Sequence, residues 1–168
     1  MIRILDLFCG IGGTARGFHR ALQEFAIDYE YVAVDIDPIV LKIHKKLNPR
    51  SITILRDAWS FSENELLEYD FIWASPPCQT HSRFNYVYKR DFDEKLYDLI
   101  RRLYKLGKPF IVENVVPYYK PKIPYTLIID RHAFWSNLAL RKVGFKNRPK
   151  RFDFMNLSDW IEYHEIPK

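Results

Sequence analysis

The stretch "IRILDLFCGIGGTARGFHRALQEF", residues 2–25, decides how the rest of the chain is read. Residues 2–8 form a short apolar run rich in Ile and Leu, the composition of a buried strand. The run stops at Gly10, Gly12 and Gly13, which permit a tight turn. Beyond them Ala15, Phe18, Leu22 and Phe25 recur near helical spacing. The expected opening is therefore strand, glycine turn, helix.

Outward from this opening the unit repeats. "YVAVDIDP" (31–38) reads as a second buried strand ending in acids, and "PIVLKIHKKL" as a helix with Pro38 in its first turn. "ITILRDAW" (52–59) and "YDFIWASPPC" (69–78) supply a third and a fourth strand, the latter stopped by its proline pair. In "DEKLYDLIRRLYKLGK" (93–108), Leu96, Ile100, Leu103 and Leu106 make one apolar helix face, and Gly107 suits the C-cap. "PFIVENVV" (109–116) is a fifth strand. Strands alternating with helices predict parallel βαβ units covered on both faces. Past residue 117 the pattern weakens. A proline-rich, partly extended segment leads to "AFWSNLAL", a candidate final strand, and then to the basic run "RKVGFKNRPKR" (141–151).

Composition bounds the reading. A chain of 168 residues forms one complete domain and not two sizeable ones, and 48% hydrophobic with 16% aromatic residues excludes general disorder. A net charge of +5 favours an anionic partner, nucleic acid first. The two cysteines, Cys9 and Cys78, form neither a disulfide framework nor a CxxC metal pair, which is the usage of reduced thiols in a cytoplasmic protein. No apolar run approaches membrane-spanning length, and the N-terminus enters a strand directly.

Ligands of open α/β sheets sit beyond the carboxyl ends of the strands, where "DLFCGIGG" falls. The spacing is G-x-G-G, not the dinucleotide G-x-G-x-x-G, and no Lys-Ser/Thr follows for a phosphate loop. Asp35, closing the second strand, is placed to grip a ribose diol, and Asp57, closing the third, to accept from an adenine amino group. That order suits S-adenosylmethionine at least as well as NAD. An ordinary βα turn with helix-capping acids remains the alternative. On the same edge, Pro76 and Pro77 fix the backbone ahead of Cys78, as a nucleophile or a plain rigid turn would require. Glu113 closes the next strand, so thiol and carboxylate are expected to face one pocket.

With these residues in place, "DLFCGIGG", "VDIDP", "RDAW", "SPPCQTHS" and "FIVENV" resemble the cytosine-5 DNA methyltransferases in order and approximate spacing, over about residues 3–140. The resemblance implies an α/β, Rossmann-like class I S-adenosylmethionine-dependent methyltransferase fold, mostly parallel, over 1–140, with 141–168 a basic C-terminal extension and no complete target-recognition domain. It implies Cys78 as the nucleophile adding to cytosine C6, Glu113 as the acid at N3, and Arg131 as a contact to O2. It implies Asp6, Phe8, Gly10, Ile11, Gly13, Asp35, Ile36, Asp57, Ala58, Pro77 and Leu96 around the cofactor S-adenosyl-L-methionine. Gln79, Ser82, Arg83, Asn114 and Val115 correspond to residues that hold the loop, the target strand or the base. Such an enzyme extrudes its cytosine from double-stranded DNA, because C5 and C6 are out of reach in the stack.

Two departures matter. The family's R-x-R pattern is met by Arg131 but has Ala133 at its second position, and the residues after 140 are too few for a recognition domain. The expectation is the catalytic part of a split enzyme, with a separate chain supplying recognition, or a minimal viral-type one, acting in the cytoplasm of a prokaryote or of a virus's host. Arg83, Lys89 and Arg90, interleaved with Phe84, Tyr86 and Tyr88, suit a phosphate backbone and an unstacked base. His19, His44, His132 and His164 show no metal-ligand spacing and read as surface or capping residues, His81 as a DNA contact, and Cys9 as a small packing residue. Cytosine-5 methylation of RNA and a degenerate cofactor- or DNA-binding subunit are the competing functions.

Overall fold

The computed structural model describes residues 1–85 and 90–142. Its strands are β1 (Ile2–Leu7), β2 (Tyr29–Asp35), β3 (Ile52–Leu55), β4 (Phe71–Ala74), β5 (Phe110–Val115), β6 (Leu127–Ile129) and β7 (His132–Ser136). The helices are α1 (Gly13–Glu24), α2 (Pro38–Leu47), α3 (Glu63–Leu67) and α4 (Lys95–Leu106), with one 3-10 turn at Ala58–Ser60. The expected basic extension lies outside the described residues from 143 onward, as do Tyr86, Tyr88, Lys89 and His164.

All seven strands form one sheet in the order β3-β2-β1-β4-β5-β7-β6. The first five are parallel, while β7 runs antiparallel to both β5 and β6. The chain builds outward from β1 to β3, then returns to place β4 on the other side of β1. That reversal opens a crevice at the carboxyl ends of β1 and β4, the usual ligand position of such sheets.

Alternation along the strands divides the core in two. Leu5, Leu7, Val32, Val34, Ile72, Ala74, Phe110, Val112, Ala133 and Trp135 face one side, where α4 lays down Leu96, Tyr97, Leu99, Ile100 and Leu103. Each Leu, Ile or Val among them contributes about 1.5–3 kcal/mol when fully buried. Gly107 ends α4 with φ 70°, the left-handed C-cap its sequence suggests. On the opposite side Ile4, Tyr31 and Ala33 pack under Ala15 of α1 and Leu41 of α2, together with Cys9.

Two expectations about histidine fail. His19 and His44 are buried, not at the surface, because each finds a hydroxyl partner in Ser51 that sequence spacing does not reveal. His81 is also buried, packed among the rings of Phe92, Tyr97 and Tyr119, and so is no surface contact.

Candidate active site

The glycine turn is built from left-handed backbone. Phe8 (φ 61°), Gly10 (52°) and Gly12 (93°) all adopt it within five residues, which curls the chain back over the end of β1. A non-glycine residue there carries strain of about 1–3 kcal/mol, typical of functional turns, and Phe8 bears it. Its ring rests 4.7 Å from that of Trp59, which anchors it. Gly12 has no such latitude: a Cβ there would lie 2.2 Å from Asn48 Nδ2 and 2.9 Å from His44 Nδ1. Gly12→Ala combines strain with collision, and should lower the melting midpoint by about 5 °C or more. A melt within about 1 °C of wild type would show that α2 yields to the methyl group.

The acids expected around the cofactor divide into separate environments. Asp35 receives the Gly10 N–H at 3.0 Å and the Asp37 N–H at 3.1 Å, so turn and strand end are locked together. Beside it Ile36 and Ile11 are exposed apolar side chains, and Gly13 is exposed at the start of α1. Asp57 accepts from Trp59 N–H at 3.0 Å as it opens the 3-10 turn. Asp6 is buried beneath α1, accepts from Tyr31 Oη at 2.7 Å, and leaves Oδ1 without a partner among the described residues. Burial, offset by the Tyr31 bond, pushes its carboxyl up to about 7. Ala58 and Leu96 lie in the main core, so they shape the crevice from behind. A cofactor with a polar ribose and an apolar base fits this donor and acceptor set: Asp35 for the hydroxyls, Ile36 and Ile11 for the ring.

Across the crevice, Cys78 sits on the loop after β4. The loop is tied at both ends. Ser75 N–H donates to Leu7 C=O at 3.1 Å, and Asn114 Nδ2 donates to Pro76 C=O at 2.9 Å. The Cys78 carbonyl then accepts from the N–H groups of His81 and Ser82, each at 3.0 Å. His81 accepts from the Tyr119 hydroxyl at 2.5 Å, which in turn receives the Tyr97 hydroxyl at 3.2 Å. Burial lowers the His81 pKa and raises that of Tyr119, so both stay neutral and the bond is a neutral one. His81 thus pins the thiol loop to α4. Pro77 and Gln79, flanking Cys78, are exposed. The Cys78 thiol itself is half-buried, and its pKa is raised, first by burial and further by the nearby charge of Glu113, against a backbone hydrogen bond that lowers it.

The parallel pairing of β4 with β5 brings Glu113 to the sheet edge that carries the Cys78 loop, near enough for its charge to act on the thiol. In β7 the side chains alternate: Ala133 and Trp135 enter the core against α4, while His132 and Phe134 share the face of Glu113. His132 Nδ1 lies 2.5 Å from Glu113 Oε1, and this hydrogen bond raises the His132 pKa against a smaller effect of burial. His132, not Ala133, is thus the β7 residue that lies beside Glu113. Sequence reading missed this residue, and the β5–β7 register is the only signal that finds it. Arg131 sits at the β6–β7 turn, where its carbonyl accepts from Val116 N–H at 2.7 Å. Together with Ser82, Arg83, Phe84, Val115, Val116, Ile128 and Asp130 it lines a cavity of about 560 Å³ next to the thiol loop.

The sheet order, glycine turn and crevice define a Rossmann-like methyltransferase fold. A family model described as C-5 cytosine-specific DNA methylase matches residues 2–123, and the chain belongs to that family, whose members take their methyl group from S-adenosyl-L-methionine. The tRNA (cytosine(38)-C(5))-methyltransferase of Rattus norvegicus is 31% identical over 122 residues, covering 68% of this chain and 30% of the relative. The type II methyltransferase M.NgoBV of Neisseria gonorrhoeae is 30% identical over 121 residues, covering 68% and 28%. Among solved structures, a putative DNA modification methyltransferase encoded within an Escherichia coli prophage superposes with a TM-score of 0.51 at 27% identity, covering 73% of this chain and 34% of that one. The chain spans about a third of the length of these relatives. Among the described residues no helix is long and apolar enough to cross a membrane, and no cluster of side chains is arranged to hold a metal ion.

Proposed function

We propose that the chain carries the catalytic centre of a cytosine-5 methyltransferase acting on DNA, with Cys78 as nucleophile and Glu113 as proton donor. The observation that supports this most directly is the pairing of β4 with β5, which brings the Cys78 loop and Glu113 to one sheet edge beside the glycine turn. The Cys78 thiolate attacks C6 of an extruded cytosine, forming an S–C6 bond. The electron pair of the C5–C6 double bond moves to C5 as Glu113 delivers a proton to N3. S-adenosylmethionine, when bound, supplies the electrophilic methyl group that C5 takes. Loss of the C5 proton to a base then re-forms the double bond and expels the Cys78 thiolate, while the N3 proton returns to Glu113. His132 holds Glu113 in place through the 2.5 Å hydrogen bond. Arg131 and Arg83, lining one cavity with exposed Phe84, suit the phosphates and an unstacked neighbour base. Every described element belongs to the one sheet or its helices. We assign reading of the surrounding sequence to segments outside them, in this chain or in a separate partner, and place the reaction in the cytoplasm of a prokaryotic cell.

The second reading, methylation of RNA, rests on a specific observation. The tRNA-modifying and the DNA-modifying relatives match this chain to nearly the same degree. A trap separates them. Fluorine at C5 cannot leave as the proton does, so 5-fluorocytosine arrests the adduct. Duplex DNA carrying it should form a denaturation-resistant complex in the presence of S-adenosylmethionine, whereas matched RNA should not. Trapping on RNA alone would replace the DNA reading.

A further inference from the structure

Beneath the glycine turn runs a buried polar chain that the transfer chemistry does not use. His44 Nδ1 lies 3.1 Å from Gly10 C=O, and His44 Nε2 lies 3.1 Å from Ser51 Oγ. Ser51 Oγ is also 2.9 Å from His19 Nε2, while His19 Nδ1 is 2.8 Å from Tyr29 Oη. His44 and Ser51 are completely buried, and His19 nearly so. The neighbouring Asn48 donates from Nδ2 to Gly12 C=O at 3.1 Å, so α2 grips two carbonyls of the turn.

With both imidazoles neutral, the direction of every proton in this chain follows from its ends. A carbonyl only accepts, so His44 must carry its proton on Nδ1, and its Nε2 is then a bare acceptor. Ser51 has one hydroxyl proton and must spend it on that acceptor. Ser51 Oγ therefore accepts from His19 Nε2–H, and His19 Nδ1 accepts from the Tyr29 hydroxyl. Burial lowers the pKa of both histidines, which favours this neutral arrangement. The Nδ1–H form is the minor one for a free imidazole, so it is selected here by the turn and the serine together.

We infer that His44, oriented by Ser51 and His19, is a positioning residue of the cofactor turn: its Nδ1–H holds the Gly10 carbonyl, and thereby the Gly10 amide that clamps Asp35. Gly10 offers its carbonyl to His44 and its N–H to Asp35 at 3.0 Å. The peptide units on the two sides of this left-handed residue are thus both fixed before a ligand arrives. Without the imidazole the half-buried Gly10 carbonyl keeps only the weak thiol donor of Cys9, whose Sγ lies 3.5 Å away, and the turn is free to rotate it toward solvent at the expense of the Asp35 contact. The inference rests on the reading of this turn as the S-adenosylmethionine site.

The test uses the full chain and S-adenosylhomocysteine as probe. Asparagine places an N–H donor where His44 carries Nδ1, but has nothing to reach Ser51. Leucine fills the space with no donor. His44→Asn should bind S-adenosylhomocysteine within about threefold of wild type, while His44→Leu should bind about tenfold or more weakly. Nitrogen-15 spectra of the wild-type imidazoles near neutral pH should show His44 protonated at Nδ1 and His19 at Nε2. Equal affinities for the two variants, or a His44 protonated at Nε2, would overturn the inference. Failure of the wild-type chain itself to bind S-adenosylhomocysteine would instead sink the reading of the turn, and the inference with it.

Discussion

Cys78→Ser should abolish both methyl transfer and the 5-fluorocytosine adduct, lowering the rate by about 10³-fold or more. The residue's setting explains why so small a change matters. Two prolines and the Asn114–Pro76 hydrogen bond hold the loop still, so serine will occupy the same position as the thiol. What serine lacks is an accessible anion. Even the Cys78 thiol stands above its ordinary value, from burial first and the charge of Glu113 second. The sign follows directly: a raised thiol pKa means little thiolate at neutral pH, with the fraction growing as pH climbs toward and past that value. Alkylation of Cys78 by iodoacetamide should therefore be slow near pH 7 and rise about tenfold per pH unit until the thiol has titrated. Cys9 serves as the internal reference. It is buried, its thiol is pushed much further up by burial and by Asp6, and it should stay unmodified while the fold persists. Cofactor affinity should not change in Cys78→Ser, because among the described residues no hydrogen bond joins the glycine turn or Asp35 to this loop. Residual transfer above about a tenth of wild type would remove Cys78 from the nucleophile's role.

Those parts of the fold that depend on local pattern were legible in the sequence. The run at residues 2–8, the glycines after it and the apolar face of α4 each specify their element without help from the rest of the chain. So does the C-cap at Gly107. What could not be read depends on partners far apart in sequence. The alternation of β7 is too short to show which of His132 and Ala133 faces the site. Only its register against β5 decides, and that register is set by pairs such as Asn114 with Ala133. The same holds for His81, whose fate is fixed by Tyr119, and for His19 and His44, which meet at Ser51. A histidine's environment is a tertiary property: its ring is equally at home in solvent or in a buried polar chain, and composition gives no bias between them. Short α3, with its Ser62–Glu65 capping box, was likewise unread, because five residues carry too little periodicity to register.

Glu113→Gln should separate the two things a carboxyl group can do at this sheet edge. Glutamine keeps the shape of the side chain and can still accept from His132, but it has no proton to give to a ring nitrogen and no negative charge. If Glu113 is the proton donor, transfer should fall by about 10²–10⁴-fold, the span that positioned acids contribute. Cys78 should respond in the opposite sense. Removing the Glu113 charge deletes one of the causes that raise the thiol, so the alkylation curve should move to lower pH and the rate at pH 7–8 should increase. The thiol pKa should remain above that of an ordinary cysteine, since burial is the larger cause and is untouched. His132 offers a third readout. Its pKa is raised chiefly by the hydrogen bond to Glu113, and the charge adds to that. In Glu113→Gln it should titrate at lower pH, which a proton spectrum of the imidazole will show directly. A variant that transfers methyl slowly yet alkylates faster and lowers the His132 titration has lost an acid and kept its architecture. If transfer and alkylation decline together, the carboxylate's task is to hold the thiol loop, and Glu113 is not the proton donor.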